Sequence, residues 1–200
     1  MKQIHEIFPT PIYETQLDLD LQYIQNYCKE LHLKINNKNR KLSNLGGFQT
    51  ELSPQDENIK QLIEQIEMHA TIFAREIINN FNQKMDNIWL NINGYKTSNL
   101  SHAHPGADIS GCYYVKLPKN CGDIVFEHPC IDVIAQYQAK QSINRESTWT
   151  QYNTQRWPFE PKENSLYLFP SWLKHYVQAN ENETGENRIS IAFNLYHERN

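Results

Sequence analysis

Five short strand-like runs follow one another between Trp89 and Tyr196, at residues 89–94, 110–117, 123–127, 165–169 and 188–196. Apolar and polar residues alternate most clearly in the first two and in the last. Side chains on an extended backbone point to opposite faces in turn, so each alternating run gives a strand with one face for a core. A chain that packs so many short strands together must stack them as two sheets or close them into a barrel. The first part of the chain reads differently. Residues 18–33 carry apolar side chains at Leu21, Ile24, Tyr27, Cys28 and Leu31, the spacing of an amphipathic helix. Ser53-Pro54 supplies a cap and a first-turn proline for a longer helix over 54–84, whose stripe runs from Ile59 through Ile66 and Phe73 to Phe81.

The expected fold class is therefore α+β: a β-sandwich or jelly roll buttressed by N-terminal helices. One domain spans residues 1–200. Residues 1–87 serve mainly as helical support, and residues 88–200 form the jelly-roll core with a long insert at about 130–161. Residues 4–13 read as an edge strand that tolerates Pro9 and Pro11, and residues 36–47 as a polar loop. The insert holds Trp149, Tyr152 and Trp157 among amides and hydroxyls. A connection that long is usually functional, and a lid is the natural reading.

Charge and composition narrow the function classes. The formal net charge is −4, which gives no general attraction to nucleic acid or an anionic membrane. No apolar run reaches the length of a membrane span. Residues 1–6 lack the apolar core of a signal peptide, so the expected location is the cytoplasm. Cys28, Cys112, Cys121 and Cys130 form no CxxC pair and read as reduced structural thiols. Ser-His-Asp order and glycine-rich phosphate loops are missing.

Chemistry concentrates in Ser101-His102-Ala103-His104-Pro105-Gly106-Ala107-Asp108. His102 and His104, at i and i+2 on extended chain, point to the same face and can share one divalent metal. His175, in the stretch Phe169-Pro170-Ser171-Trp172-Leu173-Lys174-His175, is the candidate third ligand. Asp108 is the alternative, supplying a carboxylate if the Pro105-Gly106 turn folds it back. His5, His32, His69 and His197 read as surface or hydrogen-bonded residues, and His128 as a residue that lines the site at most. In Arg188-Ile189-Ser190-Ile191-Ala192-Phe193-Asn194, the residues Ile189, Ile191 and Phe193 share one face, and Arg188, Ser190, Ala192 and Asn194 the other. A guanidinium with a hydroxyl two residues on suits a carboxylate.

Taken together these residues resemble the iron(II)- and 2-oxoglutarate-dependent oxygenases, and most closely a branch found in bacteria and phages. The likeness rests on Phe8-Pro9-Thr10-Pro11-Ile12-Tyr13, Trp89-Leu90-Asn91-Ile92-Asn93, His104-Pro105-Gly106, Ser110-Gly111-Cys112-Tyr113-Tyr114-Val115 and the 169–175 stretch, in this order from Ile7 to Asn194. The resemblance implies a double-stranded β-helix, Fe(II) as metal, 2-oxoglutarate as cosubstrate and O2 as oxidant. It puts His102, His104 and His175 on the metal. Position 104 departs from the family pattern, which has Asp or Glu there. Arg188 and Ser190 would take the far carboxylate of 2-oxoglutarate. Tyr113 or Tyr114, whichever faces inward, would add a hydroxyl, Tyr113 being preferred, with Asn93 or Asn91 on the same wall. The substrate, small or peptidyl, is not specified, and a monomer and a dimer are both compatible. Two other readings stand beside this one. One is a cupin-like metal protein that does not use 2-oxoglutarate, since His102, His104, Asp108 and His175 are similar to a cupin ligand set. The other is a non-catalytic phage accessory protein.

Overall fold

Two antiparallel sheets face each other and enclose the inner part of the core. The computed structural model describes residues 3–35, 43–78, 82–140 and 150–198. Along the chain run β1 (Tyr13–Gln16), α1 (Leu21–Lys34), β2 (Asn44–Leu45), β3 (Phe48–Leu52), α2 (Lys60–Ile77), β4 (Gln83–Asn93) and β5 (Ser98–His102). They are followed by β6 (Ile109–Lys116), β7 (Ile124–Glu127), α3 (Ile131–Lys140), β8 (Arg156–Phe159), β9 (Ser165–Pro170), β10 (His175–Val177) and β11 (Arg188–His197). The larger sheet has the order β1-β9-β6-β11-β4-β3 and the smaller β2-β5-β10-β7-β8. This is the two-sheet jelly roll expected from the alternating runs, with the double-stranded β-helix order that the resemblance implies.

The parity of β11 divides the core in two. Ile189, Ile191, Phe193 and Leu195 join Ile66, Ala70 and Phe73 of α2 on the outer side of the larger sheet. Ala192 faces inward with Cys112, Tyr114, Ile124, Phe126, Tyr167 and Phe169, between the sheets. Helix α2 forms because Leu62, Ile63, Ile66, Ala70, Phe73 and Ala74 repeat at helical spacing and bury one stripe on that outer face. At Gly111 a Cβ would meet the Phe193 ring and the Tyr167 carbonyl below 3 Å, so the absence of a side chain lets the sheet take Phe193.

Several expected boundaries move. The long helix expected over 54–84 is α2 alone, preceded by a 3-10 turn at Glu57–Ile59 that Asp56, not Ser53, caps. It stops before Gln83, because Gln83 and Lys84 pair with His197 and Tyr196 in the sheet. The edge strand expected over 4–13 starts only at Tyr13, beyond Pro9 and Pro11, which cannot donate to a ladder. The expected loop over 36–47 contains β2; its residues 36–42 lie outside the described residues. The insert over 130–161 contains α3 and β8 at its two ends, and Trp149 lies outside the described residues. The first 87 residues supply strands as well as helices: β1 and β3 enter the larger sheet and β2 the smaller.

Candidate metal centre

His102 ends β5 and His175 opens β10, and the two are direct partners across the antiparallel ladder. Side chains of such partners lie on the same face. His104 is brought in by the turn that follows. Gly106 has φ +101, and the Ala107 amide donates to the His104 carbonyl at 3.4 Å, the pattern of a type II turn with proline second and glycine third. The His104 amide in turn donates to the Ser171 carbonyl at 2.9 Å, tying this turn to the stretch that leads into His175. The result is a cluster in which the ligand atoms of His102, His104 and His175 lie within 4.8 Å of one another. No other group of three or more such side chains occurs among the described residues.

The protonation pattern suits a cation. The Nδ1 of His102 lies 2.6 Å from the Leu100 carbonyl, and the Nδ1 of His175 lies 2.9 Å from the Leu173 carbonyl. A carbonyl only accepts, so each Nδ1 carries the proton and each Nε2 keeps its lone pair. Such carbonyl contacts also fix the orientation of a ligating ring. Burial holds all three rings neutral. It pushes His175 down to about 3 and His104 down to about 4, with His102 adding to both, and it lowers His102 too. Three neutral imidazoles with free lone pairs on one face are a donor set for a divalent transition metal.

Asp108 does not complete this set. Its Oδ2 accepts from the His197 backbone N–H at 2.7 Å and meets His197 Nδ1 at 2.8 Å. The turn carries Asp108 to the end of β11, where its own amide donates to Leu195. Asp108 thus stands against His197 and outside the cluster, and His197 is a hydrogen-bonded residue, in keeping with its expected reading. His69 is hydrogen-bonded to Tyr13, as expected of a structural histidine. His128 lines the neighbouring cavity without joining the cluster.

Arg188 points between the sheets and is 1% exposed. Its Nη1 donates to the carbonyls of Cys121 and Gln178, whereas its Nη2 is buried without a hydrogen-bond partner. A buried, unpartnered guanidinium nitrogen costs free energy unless an acceptor arrives. Gln178 lies three residues beyond His175, roughly 10 Å of extended chain, which sets the scale of the separation between Arg188 and the histidines. Ser190 and Asn93 are buried on the same inner face: Ser190 pairs with Asn91 and Tyr114, and Asn93 with Arg188. The Asn93 Oδ1 is also buried without a partner. Tyr113 is the misplaced residue. It pairs with Ile191, packs on the helix side of the sheet, and its hydroxyl donates to Asn164. Tyr114 takes the inward position, among the electrostatic neighbours of Arg188.

Three features were missed in the sequence. Trp89 stands beside His104 with ring centroids 5.7 Å apart; it shares parity with Asn91 and Asn93, and that signal could have placed it. The carbonyls of Leu100 and Leu173, which orient the histidines, leave no side-chain signal. Beside the cluster lies a cavity of about 530 Å3, walled by Phe8, Phe126, Tyr152, Trp157, Phe159 and Leu173 among others. Phe126, which lines this cavity, is the direct ladder partner of His175, with ring centroids 6.1 Å apart. Glu6, on the N-terminal arm, accepts from the Tyr152 hydroxyl at 2.6 Å, and both residues line the cavity.

A family model described as "Putative 2OG-Fe(II) oxygenase" matches residues 87–194. No curated protein matches the chain. Among solved structures, a Pseudomonas putida prolyl-4-hydroxylase is similar with a TM-score of 0.64 and 11% identity, over 95% of this chain and 94% of that one. A viral collagen prolyl hydroxylase from Paramecium Bursaria Chlorella virus-1, solved as a 2OG complex, has a TM-score of 0.58 and 10% identity over 92% and 94% of the two chains. HygX from Streptomyces hygroscopicus, solved with nickel and 2-oxoglutarate, has a TM-score of 0.61 and 9% identity over 94% and 83%. At such identities the three structures speak for the fold alone.

Proposed function

The chain belongs to the family of 2OG-Fe(II) oxygenases, and on that premise we propose that His102, His104 and His175 hold its iron while Arg188 receives the far carboxylate of 2-oxoglutarate. The observation that carries the reading is the histidine cluster, whose ligand atoms lie within 4.8 Å of one another in neutral, oriented rings. The unpartnered Nη2 of Arg188 supports the second half of it. Arg188 is held by the Gln178 carbonyl, three residues along the chain from His175, a spacing on the scale of a five-carbon dicarboxylate. Ser190, Tyr114 and Asn93 are the inward polar groups beside it.

Held by His102, His104 and His175, iron with 2-oxoglutarate and O2 would supply the oxidation, converting 2-oxoglutarate to succinate and CO2 and inserting the second oxygen atom into a substrate C–H bond. The residues of the chain do the rest. The Leu100 and Leu173 carbonyls keep the lone pairs of His102 and His175 on the metal side. Trp89, Phe126 and Phe169 wall the cluster with apolar surface. Phe126 makes the adjoining cavity the natural seat for substrate, small or peptidyl.

The test is succinate formation from 2-oxoglutarate on addition of iron(II), with manganese(II) affinity measured in parallel. A protein that binds manganese but never yields succinate would instead fit a cupin-like metal protein. One that binds neither manganese nor 2-oxoglutarate would fit a non-catalytic accessory protein.

A further inference from the structure

The space between the sheets gathers positive charge without a described counter-charge. Three imidazoles leave a bound divalent ion its full +2. Arg188 adds a further +1 from the same inner face. The groups that feel Arg188 most are Tyr114, Cys121 and Cys112, all neutral near pH 7 because burial pushes them up. Two described carboxylates beside the cluster, one on the turn after His104 and one next to the ladder partner of His175, are engaged elsewhere. Asp108 holds His197, and Glu127 meets Arg156 at 3.5 Å and Ser101 at 3.1 Å. No Asp or Glu among the described residues belongs to the cluster.

An uncompensated buried charge is costly, and two like charges between the same two sheets each raise the cost of the other. We infer that the centre takes its metal tightly only together with a dianion: His104 and Arg188 leave a charge deficit that a 2-oxo dicarboxylate fills, so metal and cosubstrate bind cooperatively. This rests on the site reading proposed above and adds the coupling to it. Linkage makes the coupling reciprocal, so 2-oxoglutarate tightens the metal by the same factor as the metal tightens 2-oxoglutarate. Chelation of the metal by the 2-oxo acid contributes to any such coupling. The part owed to the charge deficit is isolated by 2-oxopentanoate, which has the same chelating end and chain length but lacks the far carboxylate.

The experiment is titration of the full-length protein with manganese(II), free metal being read by electron paramagnetic resonance. It is done alone, with 2-oxoglutarate and with 2-oxopentanoate. In the unchanged protein 2-oxoglutarate should raise manganese affinity roughly 10- to 100-fold, within the span usual for coupled sites. 2-Oxopentanoate should raise it several-fold less. Arg188→Met should bind manganese alone at least as tightly as the unchanged protein, and should no longer distinguish the two acids. His104→Asp, which builds in one negative charge, should bind manganese alone more tightly and show a smaller gain from 2-oxoglutarate. If manganese binds equally well in all three conditions while 2-oxoglutarate still binds, the coupling is overturned and the site reading stands. If the two acids act alike in the unchanged protein, the charge deficit is overturned in the same way. If 2-oxoglutarate does not bind to the manganese-loaded protein at all, the site reading falls and takes the coupling with it. Should either variant fail to fold, the comparison of the two acids on the unchanged protein still decides.

Discussion

The Asp108 carboxylate is held by His197 through a single oxygen, which meets both the backbone N–H and the Nδ1 of that residue at 2.7 and 2.8 Å. This pairing ties the turn after the HxH segment to the end of β11. It also keeps the carboxylate nearest in sequence out of the histidine cluster. Asp108→Asn should therefore leave manganese affinity within about twofold. It should lower stability by roughly 1 kcal/mol, the worth of a partly exposed charged hydrogen bond. Titration and thermal melting check the two halves separately. Loss of metal with stability unchanged would return Asp108 to the ligand set.

His102→Ala and His175→Ala should each weaken manganese binding by more than about 100-fold, beyond the ten- to hundredfold typical of losing only a supporting partner. Both should keep a cooperative thermal transition, because the apolar core on either side of the larger sheet does not depend on them. Calorimetric titration and circular dichroism on the same samples make the comparison. Undiminished metal affinity in either variant removes that histidine from the centre.

Where a strand has one polar and one apolar face, the sequence is readable. On β11 the split of Ile189, Ile191 and Phe193 from Arg188 and Ser190 matched the two cores, because only one parity is apolar throughout. On β6 the same reasoning could not choose between Tyr113 and Tyr114. That strand is buried on both faces, by helices on one side and by the smaller sheet on the other, so its alternation disappears. The histidine cluster was legible because i and i+2 spacing fixes a face locally. The fate of Asp108 was not, since it depends on where the turn meets β11, nearly 90 residues away in sequence. Helix α2 was overextended for a related reason. Its stripe runs on toward the next strand, and it is the pairing of Gln83 with His197 that ends it. The cavity is built from Phe8, Phe126 and Trp157, three distant segments that no spacing rule connects.

Tyr113 and Tyr114 give a test of the phase of β6. Tyr113→Phe removes the hydrogen bond to Asn164 on the helix side and should cost about 1 kcal/mol of stability, with cosubstrate affinity unchanged. Tyr114→Phe alters the inner wall beside Arg188 and should raise the dissociation constant for 2-oxoglutarate by roughly three- to tenfold. The measurements are chemical denaturation and cosubstrate titration in the presence of manganese. The opposite assignment of effects would invert the strand.

The metal-free protein should lose stability as pH falls from about 6.5 toward 4. Burial lowers His102, and brings His104 to about 4 and His175 to about 3 in the folded state, whereas an unfolded histidine titrates near 6.5. The unfolded chain then takes up protons first. The stability owed to neutral rings is complete above about pH 6.5 and is lost as pH falls through the folded values. His69, also lowered by burial, acts in the same direction, so the comparison is with His175→Ala, in which the fall should be shallower. Thermal melts in chelator from pH 7.5 to 4 provide the curve. A midpoint that does not change over that range would show that the rings are not held neutral.

Arg188 provides the sharpest separation between a 2-oxoglutarate enzyme and a metal protein without that cosubstrate. Its Nη1 is engaged by the Cys121 and Gln178 carbonyls, which fix the guanidinium plane, and its Nη2 is left for an acceptor. Arg188→Lys keeps the charge but loses the planar fork, so one charge-assisted bond to the far carboxylate goes and the two carbonyls compete for a single ammonium. The cost should be about 1.5 to 3 kcal/mol, roughly a ten- to hundredfold rise in the 2-oxoglutarate concentration needed for half-maximal succinate release. Arg188→Ala should be worse, because a carboxylate would then enter a buried space with no cation to meet it. Neither change touches a histidine, so both variants should still bind manganese. Succinate release against 2-oxoglutarate concentration, with metal content measured on the same preparations, decides. An unchanged concentration dependence in both would leave Arg188 a structural residue tying β11 to the Cys121 and Gln178 backbone, and the far carboxylate would need another partner.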